Sequence, residues 1–291
     1  MASATQPTTA TQQFGNFKMH AGTIPQWVEY FARFGYAAKA VIYGLIGVLA
    51  IQVAIGNGGS LEGSQGALST IRDEPFGRAV LGVLAIALLG YVAWRWMQAL
   101  YDTEGQGNDA KGMVKRIGYA VSGVIYAALA FWAGSVAAGM GSSSGGGDSS
   151  KQSLTAKLMS MPFGVWLVGL VGLIIIGVAI MHARRAYTAK FMQRYNLSEL
   201  SAKARHYLMR VGQFGLAARA VTFAIIGGFV IIAAIRTDPS QVKGLGGALE
   251  TLRQQAYGPW LLGIVAAGMI AYAVYCAANS RYRYFNIESA G

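Results

Sequence analysis

Six runs of predominantly apolar residues fix what this chain can become. They lie near 36–55, 79–101, 117–140, 164–181, 214–235 and 258–279. Each comes close to the roughly 20 residues that cross a bilayer's apolar core as a helix rising about 1.5 Å per residue. With 54% hydrophobic and 12% charged residues, against about a quarter charged in soluble domains, the chain has more apolar surface than a water-soluble fold of its length can hide. The pattern predicts an all-α membrane protein of six transmembrane helices.

The runs are not independent. ARFGYAAKAVIYG (Ala32 to Gly44) returns as KRIGYAVSGVIYA (Lys115 to Ala127) and as GQFGLAARAVTFA (Gly212 to Ala224). Each copy opens a first span, and a second span follows it. The chain therefore divides into a polar tail (1–24) read as disordered, three two-span repeats (25–105, 106–190, 191–283) and a short C-terminal tail (284–291). Two spans separate equivalent points, so the repeats are parallel and related by a pseudo-threefold axis along the membrane normal. Ile24 to Phe34, which mixes Trp27, Tyr30 and Phe31 with Glu29 and Arg33, reads as a short helix lying in the interface. The loops after spans one, three and five carry Gly and Ser, then a short helical piece (Leu68 and Ile71; Leu154 and Leu158; Leu245, Leu249 and Leu252).

Small residues recur with the repeat. In the first spans Gly35, Gly118 and Gly215 align, as do Ala40, Gly123 and Ala220; Gly44, Ala127 and Ala224; and Gly47, Ala130 and Gly227. In the second spans Gly77, Gly164 and Gly258 align, and so do Gly82, Gly169 and Gly263. Stripes of Gly and Ala let helix backbones approach closely, the usual basis of association in lipid. Gly35, Gly44, Gly118, Gly123, Gly215, Gly227, Gly82, Gly169 and Gly263 are therefore expected at helix contacts.

Three tandem two-span units, each opened by [RQ]-[FI]-G-x-A and resumed by Phe/Tyr-Gly, resemble a bacterial membrane family catalogued as a domain of unknown function (number twelve-oh-six). The resemblance covers residues 25 to about 283. It implies an integral membrane protein of six helices with no established activity. The third unit departs from the motif with Gln213 and Leu216, where the others have Arg33 or Arg116 and Tyr36 or Tyr119.

Charge sets the expected orientation. The side holding both termini carries 17 of the 24 Lys and Arg with 6 of the 12 acids; the other carries the remaining 7 and 6. By the positive-inside rule both termini are cytoplasmic, in the inner or an equivalent bacterial membrane. The net charge of +12 is then explained by topology and by anionic lipid headgroups as partners, not by nucleic acid, for which no reading module is present. A membrane protein partner or a second copy is the other expected contact. The single Cys276 excludes an internal disulfide and multi-cysteine metal sites.

Chemistry is sparse. Lys39, Ser122 and Arg219 share one repeat position, a turn before Tyr43, Tyr126 and Phe223. With Arg33 and Arg116 they form a candidate ring for an anion or headgroup, Lys39–Tyr43 and Arg219–Phe223 being candidate cation–π pairs. The plainer and favoured reading is that Lys39 and Arg219 snorkel to the headgroups, as Arg95 does. Trp94, Trp96 and Tyr101 read as an interfacial aromatic belt, and His182 as an interfacial histidine. No acid lies within the six apolar runs, which weakens an ion-coupled transporter. Gly141 to Gly145 fits G-x-S-x-G, and Gly105-Gln106-Gly107 with Ala110 fits a dinucleotide pattern loosely. Both lack the required strand context, so no catalytic, cofactor or metal site is expected.

Two functions follow as expectations. The first is a non-enzymatic structural or interaction subunit acting through helix packing. The alternative is a small-solute or ion pathway along the pseudo-threefold axis. Reporter fusions at Gly146 and at Gly291 test the topology: opposite sides of the membrane are expected, and the same side would overturn six spans.

Overall fold

A computed structural model describes residues 26–72, 74–103, 107–140, 147–196, 198 and 200–284, with backbone alone at 26–28. The tail 1–24, the Gly/Ser motif at 141–145, Gly105-Gln106 and the chain beyond 284 lie outside the described residues. Among the described residues all elements of any length are helices: α1 (Gln26–Ala54), α2 (Ser64–Arg72), α3 (Gly77–Leu100), α4 (Ala110–Ala137), α5 (Asp148–Met159), α6 (Gly164–Thr188), α7 (Ala202–Arg236), α8 (Leu245–Arg253) and α9 (Gly258–Tyr282). Six of them, α1, α3, α4, α6, α7 and α9, are long and apolar enough to cross a bilayer. The first spans run further toward the terminal face than their apolar parts, α7 by a full basic segment from Ala202 to Arg210. The stretch before Phe34 is no separate interfacial helix but the opening turns of α1, from Gln26 onward. Nothing in the sequence there breaks the helix, so its hydrogen-bond ladder continues out of the apolar zone.

The spans pair in an order that is out of step with the repeats. The closest partners are α3 with α4, α6 with α7, and α9 with α1: the second span of each unit lies on the first span of the next. One contact recurs at all three seams. A Cβ on Gly82 would sit 3.7 Å from Ala137, on Gly169 3.6 Å from Ala234, and on Gly263 3.8 Å from Ala54. Further along, Gly47 abuts Ile270 and the Ala266 carbonyl, while Gly227 abuts Ile176.

The seams within units are smaller and unequal. Gly35 lies against Tyr91 of α3, a Cβ there falling 2.7 Å from the Tyr91 Cα. Gly215 repeats this on α9, 2.6 Å from the Tyr272 Cα. The second unit has no counterpart. α4 and α6 share no comparable seam, and a Cβ on Gly118 or on Gly177 would meet nothing within 4 Å. Gly118, expected at a helix contact, faces open space. At the equivalent position, where α3 and α9 bring the main chain of Tyr91 and Tyr272 against a glycine, α6 carries Val178 and stands off from α4.

A joint of one kind starts every second span. Phe76, Phe163 and Tyr257 take left-handed backbone at φ 61°, 61° and 59° just before α3, α6 and α9. A non-glycine residue pays about 1–2 kcal/mol for that conformation. The following glycine cannot be exchanged to relieve it. A Cβ on Gly77, Gly164 or Gly258 would strike the carbonyl oxygen of Ile71, Leu158 or Arg253 at the end of the short helix before it. The third unit thus performs the same turn with Tyr257-Gly258 that the others perform with Pro-Phe-Gly.

The short helices pack across unit boundaries. α2 touches α4 of the next unit. On α5, Asp148 Oδ1 accepts the Gly244 N–H at 2.8 Å, and Gln152 Nε2 donates to the Ser240 and Val242 carbonyls at 3.0 and 3.2 Å. On the opposite face, the 3-10 turn Lys190–Arg194 pairs with the end of α9: Asn196 N–H donates to Tyr282 O at 2.8 Å and Tyr284 N–H to Arg194 O at 2.9 Å. Asn279 Nδ2 donates to the Tyr195 hydroxyl at 2.9 Å. Burial pushes the Tyr195 phenol upward, keeping it a neutral partner.

The unequal seams predict a sign reversal among equivalent glycines. Gly35→Ala and Gly215→Ala overpack a closed seam and should each lower stability by about 1–3 kcal/mol. Gly118→Ala replaces an exposed helical glycine and should raise it by up to about 1 kcal/mol. Thermal unfolding in mild detergent reads all three; equal destabilisation at Gly118 would mean that α4 and α6 are in contact.

Candidate functional site

Lys39 and Arg219 do not snorkel. They are 4% and 8% exposed and turn into the bundle, where tyrosines from four helices receive them. Lys39 Nζ donates to the Tyr91 hydroxyl at 3.1 Å and lies 4.6 and 5.0 Å from the ring centres of Tyr91 and Tyr126. The rings of Tyr36 and Tyr272 stand at 5.9 Å each. Arg219 Nη1 donates to the Tyr43 hydroxyl, its guanidinium 4.5 Å from the Tyr43 ring, 4.8 Å from Tyr272 and 4.4 Å from Phe223. The expected Arg219–Phe223 pair forms. Lys39 prefers Tyr91 and Tyr126 to Tyr43, because the neighbouring helices bring those rings to its end. Phenol oxygens and ring faces satisfy a cation inside the protein, so the long side chains need not reach outward.

The tyrosines also hold one another. Tyr272 meets Tyr43 edge-on at 4.8 Å, and Tyr91 meets Tyr126 likewise at 4.8 Å, the same contact one unit apart. Tyr43 and Tyr126 hydroxyls are 3.4 Å apart. Where the third such pair would stand, His182 stacks on Phe223 at 5.5 Å. His182 is 8% exposed and its Nδ1 has no hydrogen-bond partner, so it is a core residue and not an interfacial one.

Arg95 is the third cation here. Its Nε donates to the Tyr91 hydroxyl at 2.7 Å and its Nη1 to Gln98 Oε1 at 2.8 Å. It points inward, against expectation, because Tyr91 and Gln98 sit one turn away on the same helix face. Trp94 is likewise buried, at 2% exposure, whereas Trp96 and Tyr101 are exposed; the aromatic belt keeps only those two. Sequence reasoning missed Tyr91, Tyr272 and Arg95 as parts of this centre. Repeat alignment contained a signal, since Tyr91 and Tyr272 are equivalent, and so are Arg95, His182 and Cys276.

The centre is rich in donors and poor in acceptors. Apart from Glu29 in the first turn of α1, none of the six long helices contains an acid, and Glu29 is bound by Arg33 at 2.6 Å. Lys39 makes one hydrogen bond for three N–H groups. The buried Arg219 Nε has no partner. Such a centre is complementary to an anion. Among the described residues no cluster of His, Cys, Asp and Glu is arranged to hold a metal ion.

The rest of the candidate ring is elsewhere. Ser122 is half-buried in α4. Arg33 and Arg116 cap helix ends: Arg33 Nη1 donates to the Ser280 and Arg281 carbonyls at 2.7 and 2.6 Å, and Arg116 donates to those of Ala99 and Leu100 at 2.8 and 2.9 Å. These are the unpaired last carbonyls of α9 and α3, where positive charge is favoured. Gln213, at the same repeat position, donates from Nε2 to the Ala186 carbonyl near the end of α6 at 2.9 Å. The departure from the motif therefore preserves the bond and drops the charge. Arg116→Gln should cost about 1 kcal/mol or less, whereas Arg116→Leu, leaving carbonyls unmet, should cost about 1–3 kcal/mol. Thermal unfolding of the two variants checks the order.

The comparisons with known proteins agree with this architecture. The profile of the Domain of Unknown Function (DUF1206) family matches three segments, residues 34–102, 117–189 and 214–283. The chain is also 36% identical over 262 residues to the Bacillus subtilis (strain 168) protein named Uncharacterized protein YxxB, covering 90% of this chain and 94% of that one. No solved structure matches. With all three repeats matched and a relative aligned along nearly its whole length, the chain is a multi-pass membrane protein belonging to the DUF1206 family.

Proposed function

We propose that this protein is a non-enzymatic subunit of the bacterial inner membrane, with both termini in the cytoplasm, which binds an anionic group at the basic and aromatic centre of its helix bundle. The observation that carries this reading is the burial of Lys39 and Arg219 among tyrosines with no carboxylate beside them. Buried cations in apolar surroundings ordinarily come with a counter-charge. The packed tyrosines favour binding over permeation. Tyr43 packs edge-on with Tyr272 and Tyr91 with Tyr126, and the Tyr43 and Tyr126 hydroxyls meet, so the rings fill the space among α1, α3, α4 and α9. The 17 basic residues on the terminal face support the orientation and an affinity for anionic headgroups on that side.

Thermal unfolding in detergent against added inorganic phosphate, together with ion flux in liposomes, tests the reading. Phosphate should stabilise the wild type, by an amount that grows with the logarithm of its concentration, and should not stabilise the Lys39→Gln/Arg219→Gln variant. Flux should stay at background in both. Wild-type flux that the double substitution abolishes would replace binding by conduction.

A further inference from the structure

The second unit differs from the other two in three respects that coincide. Its spans are apart, its glycines Gly118 and Gly177 are bare, and its share of the centre is uncharged. In the first and third units the in-unit seam is closed by Gly35 on Tyr91, by Gly215 on Tyr272 and by Ala218 on Gly268. The equivalent positions of the second unit are Gly118 with Val178 and Val121 with Ile174. Gly118, Val121 and Ile174 are exposed, as is Gly177 beside Val178. What remains is an apolar trough between α4 and α6, open sideways within the membrane-spanning part of the bundle.

The trough leads toward the cations. Ser122 and Tyr126, on the α4 side, are half-buried at its inner edge. His182 lies one turn beyond Val178 on α6, with Nδ1 unpartnered. Lys39 and Arg219, Nε of the latter also unpartnered, stand behind Tyr126 and Phe223. The depth suits a headgroup. Lys39 is six residues further into α1 than Arg33, which meets the end of α9. At 1.5 Å per residue that is about 9 Å below the helix ends.

We propose that the seam between α4 and α6 admits an anionic phospholipid from the side, its phosphate held by Lys39 and Arg219 and an acyl chain lying along Gly118, Val121, Ile174 and Gly177. This rests on the anion-binding reading above and adds the ligand class and its route. Charge complementarity selects the headgroup, since the centre holds cations and no acid. The apolar lining and the lateral direction of the opening select a ligand that already resides in the bilayer.

The test uses the full chain in nanodiscs of equal phosphatidylglycerol and phosphatidylcholine, followed by mild detergent extraction and mass spectrometry of the intact protein with retained lipid. Thermal unfolding of each variant verifies folding. The wild type should retain phosphatidylglycerol in preference to phosphatidylcholine. Gly118→Trp fills open space, so the protein folds, and retention should fall to background while stabilisation by inorganic phosphate persists. Gly228→Trp, at another bare glycine, on α7, should retain lipid as the wild type does. Lys39→Gln/Arg219→Gln should reduce retention by about tenfold or more, as loss of charge-assisted hydrogen bonds does. Retention unaffected by Gly118→Trp overturns the lateral route. Protection by inorganic phosphate without retained lipid assigns the centre to a free anion and overturns the lipid. A protein dimer that Gly118→Trp dissociates gives the seam to a second copy instead. If Lys39→Gln/Arg219→Gln alters neither phosphate protection nor lipid retention, the anion-binding reading itself falls.

Discussion

Close approach of small residues between the second span of one unit and the first span of the next is the constraint on which the bundle depends. In lipid there is no hydrophobic gain in bringing two apolar helices together, so association relies on packing and on the few polar bonds available. Gly82 with Ala137, Gly169 with Ala234 and Gly263 with Ala54 supply that approach three times over. The third of these joins the last span to the first, and with the in-unit seams of α1 with α3 and α7 with α9 it orders the helices as α4, α3, α1, α9, α7 and α6, leaving α4 and α6 as the two unjoined ends.

Joining the helices in this way concentrates side chains among α1, α3, α4, α7 and α9, and their chemistry is unusual for a membrane interior. Cations are costly there, and they persist where partners within the bundle replace water. Here the partners are tyrosines contributed by α1, α3, α4 and α9. A phenol offers a ring face and an oxygen, so it stabilises a cation without neutralising it. The result is an interior that remains electropositive.

Much of this architecture was legible in the sequence. Six spans, three repeats and short helices on the loops follow from apolar length and from the returning ARFGYAAKAVIYG pattern. Partner choice was not, because alternation of spans says nothing about whether a second span packs back on its own unit or forward on the next. Nor was the fate of Lys39, Arg95 and Arg219. A basic residue near the end of a span reads as one that reaches for headgroups, and only the arrival of Tyr91 and Tyr43 makes turning inward preferable. Gly118 illustrates the same limit. It opens the same repeated motif as Gly35 and Gly215, and what distinguishes it is the distance of α6, a helix sixty positions away.

The pairing of α1 with α9 bears on how the chain is made. During synthesis α4 follows its principal partner α3 directly, and α7 follows α6. The first span has no such companion: its main partner is the last of the six spans to be made. At about 5–20 residues per second, the roughly 200 residues separating α1 from α9 take on the order of 10–40 s to translate. Through that interval α1 must stay inserted with only α3 beside it and with Lys39 lacking Tyr126 and then Tyr272. Assembly of the electropositive centre is therefore a late event, completed when the final span docks.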